Sequence, residues 1–116
     1  MKKELLNRTK RFAIDCWKFC AKIPKSREYN AYVNQLIRSS SSVGANYRAA
    51  QRAKSTADFI NKLKIVEEEA DESLYWLEIF QEVTNDFIKE IEPLRKEGNE
   101  LLAITVASIN TARKNR

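Results

Sequence analysis

The sequence predicts an all-α fold in which a single domain, residues 1–116, forms an up-down antiparallel four-helix bundle. The chain has only 2 glycines and 2 prolines, too few turn residues for a sandwich or a barrel. Apolar residues make up 43% of the chain and recur at helical spacing in four successive segments. Four amphipathic helices with short connections bury their apolar faces most simply against one another.

The first helix is predicted to end at Pro24. Before this proline, Phe12, Cys16, Phe19 and Ile23 step by four, three and four residues, which places them on one helical face. The residue that precedes a proline is disfavoured in the helical conformation, so the helix stops there.

The second helix is predicted over residues 27–53, although it contains the serine-rich stretch "RSSSSVGANYRAA". One helical phase continues through that stretch in the series Tyr32, Leu36, Ser40, Val43, Tyr47 and Ala50. A flexible linker would not need to keep this phase, and serine costs only a few tenths of a kcal/mol in a helix. The alternative is a loop over residues 39–42 between two shorter helices.

Small residues recur four apart in the same stretch, at Ser40 and Gly44 and at Ser41 and Ala45. A glycine inside a helix costs up to about 1 kcal/mol, so a close helix contact is the expected reason for its presence. We therefore predict that these four residues form a helix-contact strip.

Two further helices complete the prediction. Ser55 or Thr56 is expected to cap the third helix, whose apolar stripe runs to Val83. Pro93 is expected in the first turn of the last helix, where its missing N–H has no cost. Gly98 lies inside the last stripe and is expected to be another contact point.

Charge is divided between the two halves of the chain. Residues 1–54 hold 13 basic and 3 acidic side chains, a balance of +10, whereas residues 55–116 hold 8 basic and 13 acidic ones, a balance of −5. A basic half is the electrostatic pattern of a nucleic-acid interface, although complementarity within or between subunits is the open alternative. The candidate nucleic-acid-binding residues are Lys10, Arg11, Lys18, Lys22, Arg38, Arg48 and Arg52.

The residues for metal or acid–base chemistry are poorly represented. The chain has no histidine, so the Glu-x-x-His pairs of a di-iron bundle cannot form, and Cys16 and Cys20 are expected to be buried thiols. Glu67 lies on the apolar line of the third helix and is expected to be buried beside Arg48 or Arg52. We expect no enzymatic activity and no cofactor.

The expected compartment is the cytoplasm. No apolar run approaches the roughly 20 residues of a membrane span. The basic start, "MKKELLNRTK", has no apolar run behind it, which predicts the absence of a signal peptide. We expect no association with a membrane.

Residues 35–80, "QLIRSSSSVGANYRAAQRAKSTADFINKLKIVEEEADESLYWLEIF", resemble a known family. The segment looks like the central signature of bacterial four-helix-bundle proteins related to the 23S rRNA intervening-sequence protein, also labelled the S23 ribosomal protein family. It is also similar to the accessory proteins of diversity-generating retroelements, which bind nucleic acid and a reverse transcriptase. The resemblance implies an up-down bundle that assembles as a ring-like homo-oligomer, with a pentamer favoured.

The residues themselves also predict a homo-oligomer. The apolar stripes are wide enough to leave surface after one bundle closes, and Trp17 and Trp76 are expected to be core or interface residues. Two function classes stay open. One is an oligomer that binds RNA or DNA through the basic first and second helices. The other is a structural or adaptor oligomer that binds a protein partner.

Overall fold

Four helices form the whole architecture of residues 2–116, the part of the chain described by a computed structural model. Helix α1 spans Lys2–Lys22, α2 Arg27–Ala50, α3 Thr56–Val83 and α4 Ile88–Lys114. Helix α1 packs on α2 and α4, and α3 packs on the same two helices, so that α1 and α3 lie diagonally across the bundle. This arrangement confirms the predicted up-down antiparallel four-helix bundle.

Serine side chains cap the two central helices at their N-termini. The Ser26 hydroxyl accepts a hydrogen bond from the backbone N–H of Tyr29 at 3.0 Å, and the Ser55 hydroxyl accepts one from the N–H of Asp58 at 3.1 Å. Each cap satisfies one of the N–H groups that a helix start leaves without a partner. Ser55, rather than Thr56, is therefore the cap of α3.

The second helix ends earlier than predicted, at Ala50 instead of Ala53. Beyond Ala50 the chain continues in tighter turns, with Arg52 N–H bonded to the Ala49 carbonyl at 3.0 Å and Ala53 N–H bonded to the Ala50 carbonyl at 3.1 Å. These bonds span three residues, which is the pattern that often terminates an α-helix. The spacing of apolar residues alone does not distinguish this tighter turn from a continued helix.

The prediction for Pro93 was wrong. Helix α4 begins at Ile88, so Pro93 is its sixth residue rather than part of its first turn. The ring leaves the carbonyl of Lys89 without its helical N–H partner. Lys89 is an exposed residue, so water can satisfy that carbonyl.

The serine-rich stretch is helical and partly buried, as predicted. Residues 39–42 lie within α2, and Ser39 and Ser40 are fully buried. The largest fully buried side chains around them form the core between the helices: Phe12, Leu36, Leu63, Leu77, Phe80, Ile91 and Leu101. None of the described helices contains an apolar run long enough to cross a membrane.

A buried serine pair sets the register between α2 and α3. The Ser73 hydroxyl lies 2.9 Å from the Ser39 hydroxyl and 2.9 Å from the Glu69 carbonyl, and Ser39 donates to the Leu36 carbonyl at 3.3 Å. Both side chains are small, so the helices can approach closely, and both hydroxyls keep a partner in the dry interior. This contact explains why serines occupy core positions.

We expect Ser73→Ala to lower the free energy of unfolding by about 1 kcal/mol, because Ser39 loses a buried partner. The double variant Ser39→Ala/Ser73→Ala should lose less free energy of unfolding than the sum of the two single variants, since no hydroxyl is then left without its partner. Urea unfolding of the four proteins at one chain concentration measures this difference. Strict additivity would show that the two hydroxyls do not interact.

Candidate nucleic-acid interface

The four candidate cations of α1 are all exposed. Arg11 lies 4.0 Å from the Asp15 carboxylate, one turn along the same helix, an exposed pairing of the weakest kind. Lys10, Lys18 and Lys22 make no ion pair within residues 2–116. Their ammonium groups are therefore available to an anionic partner.

These cations are distributed over two sides of α1. Lys18 and Lys22 border a groove between α1 and α4 that also includes Glu90 and Leu94. Arg11 lines a neighbouring part of the same side, where Glu97 of α4 contributes to the lining. The α4 side of α1 is thus basic on α1 itself and acidic on the facing helix.

Lys10 lines the pocket of Arg11 and also meets Arg48 on the other side of α1, in a groove between α1 and α2. The two helices approach closely there, because a Cβ atom on Gly44 would lie 3.3 Å from the backbone carbonyl of Thr9. Lys10 follows Thr9 directly, and Arg48 lies one turn beyond Gly44, so the crossing brings the two cations to one groove. Arg52 follows in the exposed turn after α2 and makes no ion pair within the described chain.

Arg38 differs from the other candidates because it is engaged within the chain. Its guanidinium pairs with Glu69 at 3.0 Å and with Glu72, both on α3. The hydrogen bonds to Glu69 and Glu72 raise the pKa of Arg38, and hydrogen bonds from Trp76 and Arg38 lower the pKa of Glu72. Arg38 is a bridge between α2 and α3 that remains half-exposed.

The predicted pairing of Glu67 with Arg48 or Arg52 is absent from the described residues, and Arg38 is the arginine that meets the acidic run of α3. The reason is register. Ser39 faces Ser73, which sets Arg38 level with residues 69–72. Arg48 lies ten residues further along α2, about 15 Å at the helical rise.

The predicted helix-contact residues divide into two pairs. Ser40 is buried and Gly44 lies against the α1 backbone, so these two contact other helices of the same chain. Ser41 and Ala45 are exposed and line the α1–α2 groove instead. This second pair is open to solvent at the groove.

Sequence reasoning left one feature of this surface open and missed another. Trp17, predicted to be a core or interface residue, is 58% exposed on the outside of α1, so it is not a core residue and the interface role stays a prediction. Arg8 forms a pair with Glu97 at 2.6 Å and with Glu100 at 3.0 Å, which raises the pKa of Arg8 and ties α1 to α4. The spacing already indicated the exposure of Trp17, since this residue lies off the helical face shared by Phe12 and Cys16.

The two thiols are buried and unpaired. Burial raises the pKa of the Cys16 thiol and raises the pKa of Cys20 to about 12. Both side chains are therefore protonated near neutral pH, when they are poor nucleophiles and poor metal ligands. Residues 2–116 contain no group of three or more side chains able to hold a metal ion.

The fold and this surface define a small helical-bundle protein with a basic exterior on its first helix. The model of the family described as 23S rRNA-intervening sequence protein matches residues 1–107, and the chain belongs to that family. A solved structure from Bacteroides thetaiotaomicron, described as a protein of unknown function from the S23 ribosomal protein family, is similar, with a TM-score of 0.81 and 31% identity. The similarity covers 90% of this chain and 97% of that one. The comparison with curated proteins gave no match.

Proposed function

We propose that this protein is a non-catalytic homo-oligomer that binds nucleic acid, structured RNA in the first place, through the exposed cations of α1. The observation that carries the proposal is the group Lys10, Lys18 and Lys22, exposed on one helix and without an ion pair in the described chain. Such charges neutralise phosphates and release the condensed counterions of the nucleic acid. Arg11 adds to the α4 side of this helix, and Arg48 and Arg52 extend the basic region onto α2 and the turn that follows it.

Assembly strengthens this binding mode. A single small bundle offers few phosphate contacts, whereas a ring repeats the basic surface once per subunit, and the resemblance to the family favours a pentamer. Repeated weak contacts on one RNA raise the overall affinity without any new contact type. We infer recognition of the phosphate backbone rather than of sequence, because the surface offers ammonium and guanidinium groups and no base-reading motif.

We expect Arg11→Glu/Lys18→Glu to weaken binding to unrelated RNAs by similar factors. The slope of log K against log salt should fall in magnitude by about 2, one for each phosphate contact removed. Filter binding at several salt concentrations measures both effects. Lys64→Glu/Lys89→Glu is the matched control, because it changes the net charge equally at exposed lysines of α3 and α4, outside α1.

The control should therefore bind RNA almost as the parent does. Equal losses in the two double variants would mean that net charge, not the α1 surface, governs binding. If the parent retains no structured RNA even at low salt, the nucleic-acid proposal is wrong and the adaptor function becomes the better one.

A further inference from the structure

Two helices of the bundle carry a second stripe on the side away from the core. The α1 outer stripe consists of Lys3, Asn7, Lys10, Ile14, Trp17 and Ala21. The α3 outer stripe consists of Ile65, Glu68, Glu72, Tyr75, Ile79 and Glu82. Both stripes alternate steps of three and four residues, which is the spacing that aligns one helix along another. From these stripes we propose that the α1 outer stripe of one copy, with the adjoining α1–α2 groove, binds the α3 outer stripe of a second copy.

Each stripe carries large apolar side chains that are exposed to solvent on the side of the helix away from the core. Trp17 is 58% exposed on α1, and Tyr75 is 55% and Ile65 40% exposed on α3. Aromatic side chains of this kind are the usual anchors of a protein interface, where they become desolvated in the centre of the contact. Trp17 and Tyr75 would give each stripe an aromatic anchor.

The two stripes have opposite charge. The α1 outer stripe contains Lys3 and Lys10 and no acid, whereas the α3 outer stripe contains three glutamates and no base. Glu72 is already paired with Arg38, so Glu68 and Glu82 are the carboxylates without an ion pair in the described chain. They cannot meet within one chain, because α1 and α3 lie diagonally and do not pack on each other. A second copy is therefore the partner that this charge pattern fits, and complementary charge selects it over partners of the wrong sign.

The α1–α2 groove adjoins the α1 outer stripe, since Asn7 and Lys10 belong to both. It has a volume of about 420 Å³ and a lining that includes Leu6, Ala13 and the exposed pair Ser41 and Ala45. Lys10 and Arg48 stand at its polar edge. The groove thus joins an apolar floor to a basic rim, and the exposed small residues of α2 gain a contact that their own chain does not supply.

This contact is head-to-tail, since each copy uses a different face toward each neighbour. The α1 outer stripe lies between the groove with α2 and the pocket with α4, since Asn7 and Lys10 line both. A head-to-tail contact of this kind forms a ring when the rotation between copies closes.

The proposal rests on the homo-oligomer of the proposed function, and it divides the cations between two uses. Lys10 and Arg48 line the groove of the contact, and Arg11 lies beside it, in a pocket that it shares with Lys10. Lys18 and Lys22 border the α1–α4 groove, which includes no residue of the α1 outer stripe. RNA binding and assembly can thus be disrupted separately.

The test mixes two variants, Trp17→Glu and Tyr75→Glu. Each alone should weaken self-association by about tenfold or more, because it removes an anchor and adds a buried charge. Mixed in equal amounts they should form a heterodimer of two 13.5 kDa chains, since one intact α1 face and one intact α3 face remain. Light scattering measures the mass of each assembly. The control is Val106→Glu, at a 37% exposed apolar residue of α4 outside both stripes, and it should keep the mass of the parent assembly.

If circular dichroism shows that a glutamate variant does not fold, a second set of variants tests the interface. Lys10→Glu and Glu68→Lys should each weaken assembly, and the double variant should recover it. A monomeric parent across the micromolar range would overturn both the oligomer and this interface. An oligomeric parent whose mass survives both anchor variants, or a mixture that gives no heterodimer, would overturn only the interface, while the RNA assay remains informative.

Discussion

Phe80→Ala should lower the free energy of unfolding by about 3–5 kcal/mol, the largest single effect expected in this protein. Phe80 is fully buried on α3. Its ring lies edge-on to Phe19 of α1, with centroids 5.4 Å apart, and edge-on to Tyr32 of α2, with centroids 6.2 Å apart. Truncation removes contacts with two other helices and leaves a cavity that stiff helices cannot close.

Urea unfolding at a fixed chain concentration measures this loss, because assembly makes apparent stability depend on concentration. Val106→Ala on the outside of α4 is the control, and it should stay within about 0.5 kcal/mol of the parent. A loss below about 1 kcal/mol for Phe80→Ala would mean that the aromatic cluster rearranges to fill the space.

Gly44→Leu should lower the free energy of unfolding by about 1–3 kcal/mol through overpacking. A Cβ atom at this position would lie 3.3 Å from the backbone C and O atoms of Thr9. Backbone atoms of a packed helix cannot rotate away as a side chain can, so the remainder of the leucine must force α1 and α2 apart.

Ala45→Leu provides the matched control for Gly44→Leu. It adds a similar volume one residue further along, at an exposed position on the groove, and should change monomer stability little. Hydrogen exchange at residues 40–43 should be slow in the parent and faster in Gly44→Leu. Equal melting of Gly44→Leu and the parent would contradict the close α1–α2 contact.

Much of the fold follows from local features of the sequence. The three- and four-residue spacing predicts all four helices, and the serine caps at Ser26 and Ser55 mark two of the starts within the chain. Spacing also predicts that residues 39–42 are helical, because a helical phase is a property of consecutive residues and needs no knowledge of the other helices. The end of α2 and the start of α4 differ from the prediction. The reason is that the tightening of the last turn of α2 and the tolerance of Pro93 inside a helix both depend on access to solvent.

The identity of the free cations at the candidate interface could be predicted less well from the sequence than the helices could. The charge count identified a basic half, but it could not separate Arg38, which pairs with Glu69 and Glu72, from Arg48, which is exposed and unpaired in the described chain.

That distinction follows from the axial register of α2 against α3, which the Ser39–Ser73 contact sets. The diagonal placement of α1 and α3, which separates their oppositely charged outer stripes, likewise follows from how the helices pack. Sequence by itself determined which residues form helices and which face of each is apolar, because these are local properties. Register and neighbours were decided only by the tertiary structure, because they depend on side chains that meet across different helices.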